Sequence, residues 1–108
     1  MSLWAEYSLE RANIETIEND VSFLTYKIEL SECFIQDAYV QPGARNIGIG
    51  AEMIKKLETI ARERGCKFVT CFVCPGALHA DVSLKAVIGV GFKLFGSSEN
   101  VIIFKKEL

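Results

Sequence analysis

Apolar side chains recur at helical spacing at the start of this 108-residue chain, then in alternation, then at helical spacing again. Each switch of period marks an element. Leu3, Trp4 and Tyr7 lie three and four residues apart and predict a short helix from about Leu3 to Ala12 with those side chains on one face. Ile14–Glu18 predicts a short edge strand. From Val21 to Leu30 the run VSFLTYKIEL alternates and is rich in β-branched and aromatic residues, so it predicts a strand. Ser31-Glu32 is a tight connection to a further strand, Cys33–Val40, and together these make an antiparallel meander.

Pro42-Gly43 breaks that strand. Ile49, Met53, Ile54, Leu57, Ile60 and Ala61 then recur at helical spacing, while Glu52, Lys55, Lys56, Glu58, Arg62 and Glu63 fall on other faces. This predicts an amphipathic helix over Ile49–Arg64, stopped by Gly65. Lys67–Cys74 is too apolar to alternate, as expected of a strand covered on both faces. Strand, helix and strand in about 40 residues predict a right-handed crossover between parallel strands. After a loop over Pro75–Asp81, Asp81 is placed to cap a second helix over Val82–Val90 that ends at Gly91. Phe92–Phe95 and Val101–Lys106 predict a hairpin around Gly96–Asn100. The expected fold is α/β, one domain over residues 1–108. It has a mixed sheet with an antiparallel N-terminal meander, a central βαβ unit and a C-terminal hairpin.

Half the residues are hydrophobic, enough for a core at this length. No apolar run approaches the roughly 18–20 residues of a membrane span. The acidic start MSLWAEYSLE lacks the basic and apolar regions of a signal peptide, so a cytoplasmic protein is expected. Charge divides unevenly: through Val40 eight acidic side chains face two basic ones, and from Gln41 onward ten basic face six acidic. That split suits an anionic ligand on the second half and a cationic one on the first. A sequence pI of about 5.4 and the lack of a basic–aromatic stripe argue against nucleic acid. Cys71 and Cys74 are spaced as a CxxC, but residues three apart on a strand point to opposite faces. With His79 the only histidine, all four cysteines are expected to be buried free thiols, and no metal is expected.

The segment from Tyr39 to Ala51 (YVQPGARNIGIGA) carries the most chemistry. It joins a strand to a helix N-terminus, where several backbone N–H groups lack intrahelical partners and the helix dipole is positive. Gly48 and Gly50 let the backbone approach a ligand, so the turn reads as a diphosphate socket. A P-loop would continue Gly-Lys-Ser/Thr, but Ala51-Glu52 follows Gly50. A dinucleotide fingerprint would place a third glycine where Met53 stands and an acid where Val73 and Cys74 stand.

Arg45-x-x-Gly48-x-Gly50, preceded by Tyr39-Val40-x-Pro42 and followed far downstream by Gly91-Phe92, resembles the acetyl-CoA motif and closing hairpin of the GNAT acetyltransferase superfamily over Ser22–Leu108. The resemblance implies that backbone amides of Arg45, Asn46, Ile47, Gly48, Ile49, Gly50 and Ala51 hold the coenzyme A diphosphate. Tyr39 and Val40 would contact the pantetheine arm, which in the family enters between two splayed strands. It implies N-acetyl transfer from acetyl-CoA, without a metal, to an amine: a small molecule, a protein lysine or an N-terminus. The Val40 amide is then the oxyanion donor.

Two departures bear on catalysis. The tyrosine that family members often carry four residues before the Gly-Phe glycine is Val87 here, and a common asparagine is replaced near Ala80. Asp37, two residues from Tyr39, is a weak candidate base; His79 and Ser83 are lesser candidates. The N-terminal part is also short, which leaves the acceptor site open for a second copy or a macromolecular acceptor to complete. The competing reading is a non-catalytic acyl-CoA-binding or protein-interaction module.

Overall fold

The computed structural model describes residues 2–45, 47–76 and 80–108, with the backbone alone for 80–84. Helix α1 (Leu3–Ala12) leads into strands β1 (Glu15–Glu18), β2 (Ser22–Glu29) and β3 (Glu32–Val40). A 3-10 turn (Pro42–Ala44) precedes α2 (Ile49–Glu63), β4 (Phe68–Val73), α3 (Ala80–Gly89), β5 (Lys93–Ser98) and β6 (Val101–Glu107). The six strands form one sheet in the order β1-β2-β3-β4-β6-β5, mixed because β3 and β4 are parallel and every other pair is antiparallel. The meander, crossover and hairpin match the pattern read from the chain.

Leu24 and Tyr26 of β2, Cys33 of β3, and Val69, Cys71 and Val73 of β4 line one face. Met53, Leu57 and Ala61 of α2 close over them, and Leu57 and Val69 have no exposed surface. At this packing, truncating Leu57 to alanine removes about 2–5 kcal/mol. Both core helices end in one hydrogen-bond pattern. At α2, Gly65 N–H donates to Arg62 O and Cys66 N–H to Ala61 O; at α3, Gly91 N–H donates to Ile88 O and Phe92 N–H to Val87 O. Gly65 (φ 78°) and Gly91 (φ 97°) hold the left-handed position this closure requires, and the next residue, Cys66 or Phe92, is buried. A Cβ on Gly91 would also lie 3.3 Å from Lys106 Cε. Gly91→Ala is therefore expected to cost about 1–2 kcal/mol in urea unfolding, from the left-handed strain alone. Gly43→Ala, with open space and no such φ, should be near neutral.

Four expectations need correction. Glu58 was placed among the polar positions of α2, yet it is buried, because Lys106 Nζ reaches it at 3.0 Å from the sheet. The hairpin turn is two residues, Glu99-Asn100, with Glu99 at φ 51°, since the strands continue through Ser98 and restart at Val101. α1 buries Ala5 and Ser8, not its aromatic residues: Leu3, Trp4 and Tyr7 point to solvent. Small residues let the helix backbone sit close to the sheet. β4 is covered on both faces as far as Thr70, which is buried, but its end is open on one face, where Phe72 is 49% exposed. α1 lies on that face at the β1 end, where Ser2 N and Oγ bond the Glu18 carboxylate. Among the described residues no helix is long and apolar enough to cross a membrane.

The thiols divide accordingly. Cys33, Cys66 and Cys71 are buried, and burial pushes Cys33 up to about 12 and Cys71 to about 11; Cys74 is exposed, against the expectation that all four are covered. One thiol per chain should react rapidly with Ellman's reagent in the native protein at pH 8, and the other three only on unfolding.

Candidate functional site

The ladder between β3 and β4 stops early. Glu32, Cys33 and Phe34 pair with Phe68, Val69 and Thr70, and there the pairing ends although both strands continue. Around this last pair, Thr70 Oγ1 donates to the Glu32 carboxylate, which also meets Lys105 Nζ at 3.2 Å. The Thr70 hydroxyl, with help from Lys105, holds the Glu32 carboxyl below its ordinary range. Past Thr70 the strands diverge around a cleft of about 690 Å³.

A bulge sets what β3 presents to that cleft. Thr25 pairs with Asp37 and Tyr26 with Ile35, leaving Gln36 as the extra residue. Cys33 and Ile35 face α2 before it, Ala38 and Val40 after it. Asp37 and Tyr39 therefore share the opposite face, opposite Thr25 and Phe23. Main-chain direction follows from Gln41 N–H donating to Val21 O at 2.7 Å. Hydrogen-bonded pairs alternate in an antiparallel ladder, so Tyr39 spends its N–H and C=O on Phe23. Those of Ala38 and Val40 point into the gap. The Val40 carbonyl is taken by Arg45 Nε at 2.8 Å, which leaves its N–H as the group presented there.

The other wall is the start of α2. Gly48 is its N-cap at φ 86°, no side chain caps it, and the first intrahelical bond is from Glu52 N–H to Gly48 O at 3.0 Å. The amides of Ile49, Gly50 and Ala51 thus have no acceptor within the helix. A Cβ at Gly48 or Gly50 would meet nothing within 4 Å, so no packing within the protein calls for a bare backbone at Gly50. Its open surface faces the cleft, as a site for close approach requires. The Arg45 guanidinium lies 5.7 Å above the Tyr39 ring, which stacks on Phe23 at 5.9 Å.

Of the residues singled out from sequence, Asp37, Tyr39, Val40, Arg45, Gly48, Ile49, Gly50 and Ala51 line this one cleft. Ile47 is not in its lining and is 70% exposed. Asn46 and His79 lie outside the described residues, as do the side chains of Ala80, Asp81 and Ser83. Val87 does line the cleft, so the position is correctly located and holds no proton to give. Sequence reasoning missed Gln36, Ala38 and Phe72. For the first two a signal existed: the apolar phase of β3 passes from Cys33 and Ile35 to Ala38 and Val40, which requires one extra residue between them.

A mixed sheet opened at a parallel pair, with an uncapped glycine-rich helix terminus at the opening, defines the acyltransferase type of α/β fold. The model of the Acetyltransferase (GNAT) family matches residues 8–82, and the chain belongs to that family. Coenzyme-bound PaiA N-acetyltransferase from Thermoplasma acidophilum superposes with a TM-score of 0.75 at 19% identity, over 82% of this chain and 54% of that one. This chain therefore spans about half the length of that protein. A GNAT family acetyltransferase from Elizabethkingia anophelis with acetyl-CoA bound gives 0.73 at 17%, over 98% and 87% of the two chains. The anti-CRISPR protein AcrVA5 gives 0.73 at 19%, over 86% and 97%, so the fold also occurs at about this length. At these identities the likeness is one of fold. A search of curated protein sequences finds no match.

Proposed function

We propose that this protein binds acetyl-CoA in the cleft between β3 and β4 and transfers the acetyl group to an amine. One observation carries the reading: the Val40 N–H and the uncapped start of α2 converge on the opening left where the β3–β4 ladder stops. The cleft fits the coenzyme. The Ile49, Gly50 and Ala51 amides would hold its diphosphate, with the dipole of a 15-residue helix behind them. Ala38 and Val40 would hold the pantetheine arm by the main chain. The coenzyme supplies an activated acyl thioester. The chain supplies the Val40 N–H toward the carbonyl oxygen, where negative charge develops. Asp37 lines the same cleft and, acting through water, is placed to take a proton from the incoming ammonium. The acidic N-terminal half favours a cationic acceptor, such as a polyamine or a lysine side chain.

The test is acetyl transfer to a panel of amines, read as thiol release, with Gly50→Leu as the control. A Cβ at Gly50 meets nothing within 4 Å and leucine replaces the poorest non-proline helix former, so stability should hold or rise by about 0.5–1 kcal/mol. Acetyl-CoA affinity should fall at least about tenfold. A non-catalytic acyl-CoA-binding module is the second reading, favoured by Val87 at the tyrosine position. Coenzyme binding without turnover on any amine would select it.

A further inference from the structure

β3 leaves its regular pairing for the cleft at the Gln36 bulge, and one side chain of β2 sits against that crossing. Thr25, 4% exposed, accepts at Oγ1 from the Asp37 N–H at 3.0 Å and donates to the Asp37 carbonyl oxygen at 3.5 Å. A single hydroxyl thus meets both main-chain groups of one residue. Two residues opposing one disrupt the ladder locally, so a bulge is where such support counts most. Another partner stood close by. Thr16 lies directly opposite Thr25 on β1, and its hydroxyl is buried with no partner among the described residues. A cross-strand Thr–Thr bond would have satisfied it. The Thr25 hydroxyl goes to Asp37 instead, and β-branching restricts the rotamers by which it could turn away.

We infer that Thr25 is a positioning residue for acyl transfer: its hydroxyl fixes the two peptide planes flanking Asp37, and through them the Asp37 carboxylate and the Val40 N–H. The inference rests on acetyl transfer in this cleft as proposed above. Thr25 is not among the residues that line the cleft, so it acts through Asp37 and not on the substrate. Beyond Asp37 the strand is next held at Tyr39, paired with Phe23, and at Gln41, whose N–H donates to Val21 O. Without the Thr25 hydroxyl those two anchors remain and the first one loosens. The Asp37 side chain then swings and the Ala38–Val40 main chain tilts. The Ile49, Gly50 and Ala51 amides belong to α2 and stay in place. The consequence is a split, with the coenzyme still held and transfer slowed.

Thr25→Val, which keeps the volume and removes the hydroxyl, tests this against Thr25→Ser, which keeps the hydroxyl. Coenzyme A affinity of the valine variant should stay within about threefold of wild type, while kcat on the fastest amine of the panel falls about ten- to a hundredfold. In the free protein its Asp37 amide should exchange with solvent deuterium at least about tenfold faster, with the amides within α2 unchanged. Thr25→Ser should restore most of both, and Thr25→Ala, which also lacks the hydroxyl, should repeat the split. A general loss of stability would instead lower affinity and rate together and quicken exchange throughout. That outcome overturns the inference. So does a valine variant with wild-type kcat or wild-type Asp37 exchange, or a loss that serine does not restore. A wild type that turns over no amine counts against acetyl transfer itself; the Asp37 exchange, measured without coenzyme, then decides alone whether Thr25 holds the bulge.

Discussion

Acetyl-CoA at about a hundred times its dissociation constant should stabilise this domain by about 2.7 kcal/mol, as any ligand bound only by the folded state does. For about 100 residues that is a rise in melting temperature on the order of 10–20 °C. The effect is expected because folding alone leaves the site incomplete. Three amides at the start of α2 have no acceptor within the helix, no side chain among the described residues caps them, and the Val40 N–H points into an open gap. A diphosphate and an arm bonding to the main chain would satisfy all of them, and none of these groups is gathered in the unfolded chain. Gly50→Leu should abolish most of the shift while leaving the free protein intact. Gly48→Val should also abolish it, but at φ 86° a side chain carries its own cost of about 1–2 kcal/mol. Gly50 is therefore the cleaner probe.

Lys106→Met should be the most damaging single change outside the apolar core. Lys106 Nζ lies 3.0 Å from the Glu58 carboxylate and donates to Val90 O at 2.8 Å, so one ammonium joins β6, α2 and the end of α3. The Glu58 side chain is only 8% exposed, and its other partner, Arg62, is 3.8 Å away. Removing the lysine leaves a buried carboxylate poorly paired, a change that costs about 3–5 kcal/mol in a dry setting. Since the Lys106 side chain is itself 26% exposed, water recovers part of this, and about 2–3 kcal/mol is expected in urea unfolding. Replacing both partners, as Lys106→Met with Glu58→Leu, should restore most of the loss, because the cost lies in the orphaned charge. Val90 lines the cleft, so the single variant should also bind acetyl-CoA less well than its stability alone predicts.

The period of the apolar residues located most of the helices and strands, because period reports which residues must leave water; β4 was legible instead from its unbroken apolar run and α3 from the glycine that ends it. The pattern also carried the glycine-rich turn: Gly48 and Gly50 stand at the helix start, and Gly65 and Gly91 at helix ends with positive φ. What it did not convey is where a third body intrudes on a two-body pattern. Glu58 looks like a surface residue until Lys106, 48 positions later, is brought beneath it. Trp4 and Tyr7 look like a core face until the sheet is seen to prefer Ala5 and Ser8. The bulge at Gln36 was legible as a slip of phase, and reading it assigns Asp37 and Tyr39 to the open face of the sheet.

The central claim is that the main-chain amides at the start of α2 receive a diphosphate. A titration of ¹⁵N-labelled protein with coenzyme A, followed amide by amide in two-dimensional NMR, addresses those groups one at a time. The account predicts large, saturable shifts at Ile49, Gly50 and Ala51, with a further shift at Val40 across the cleft. Saturable binding that leaves the α2 amides unmoved, or no binding at millimolar coenzyme A, would contradict it.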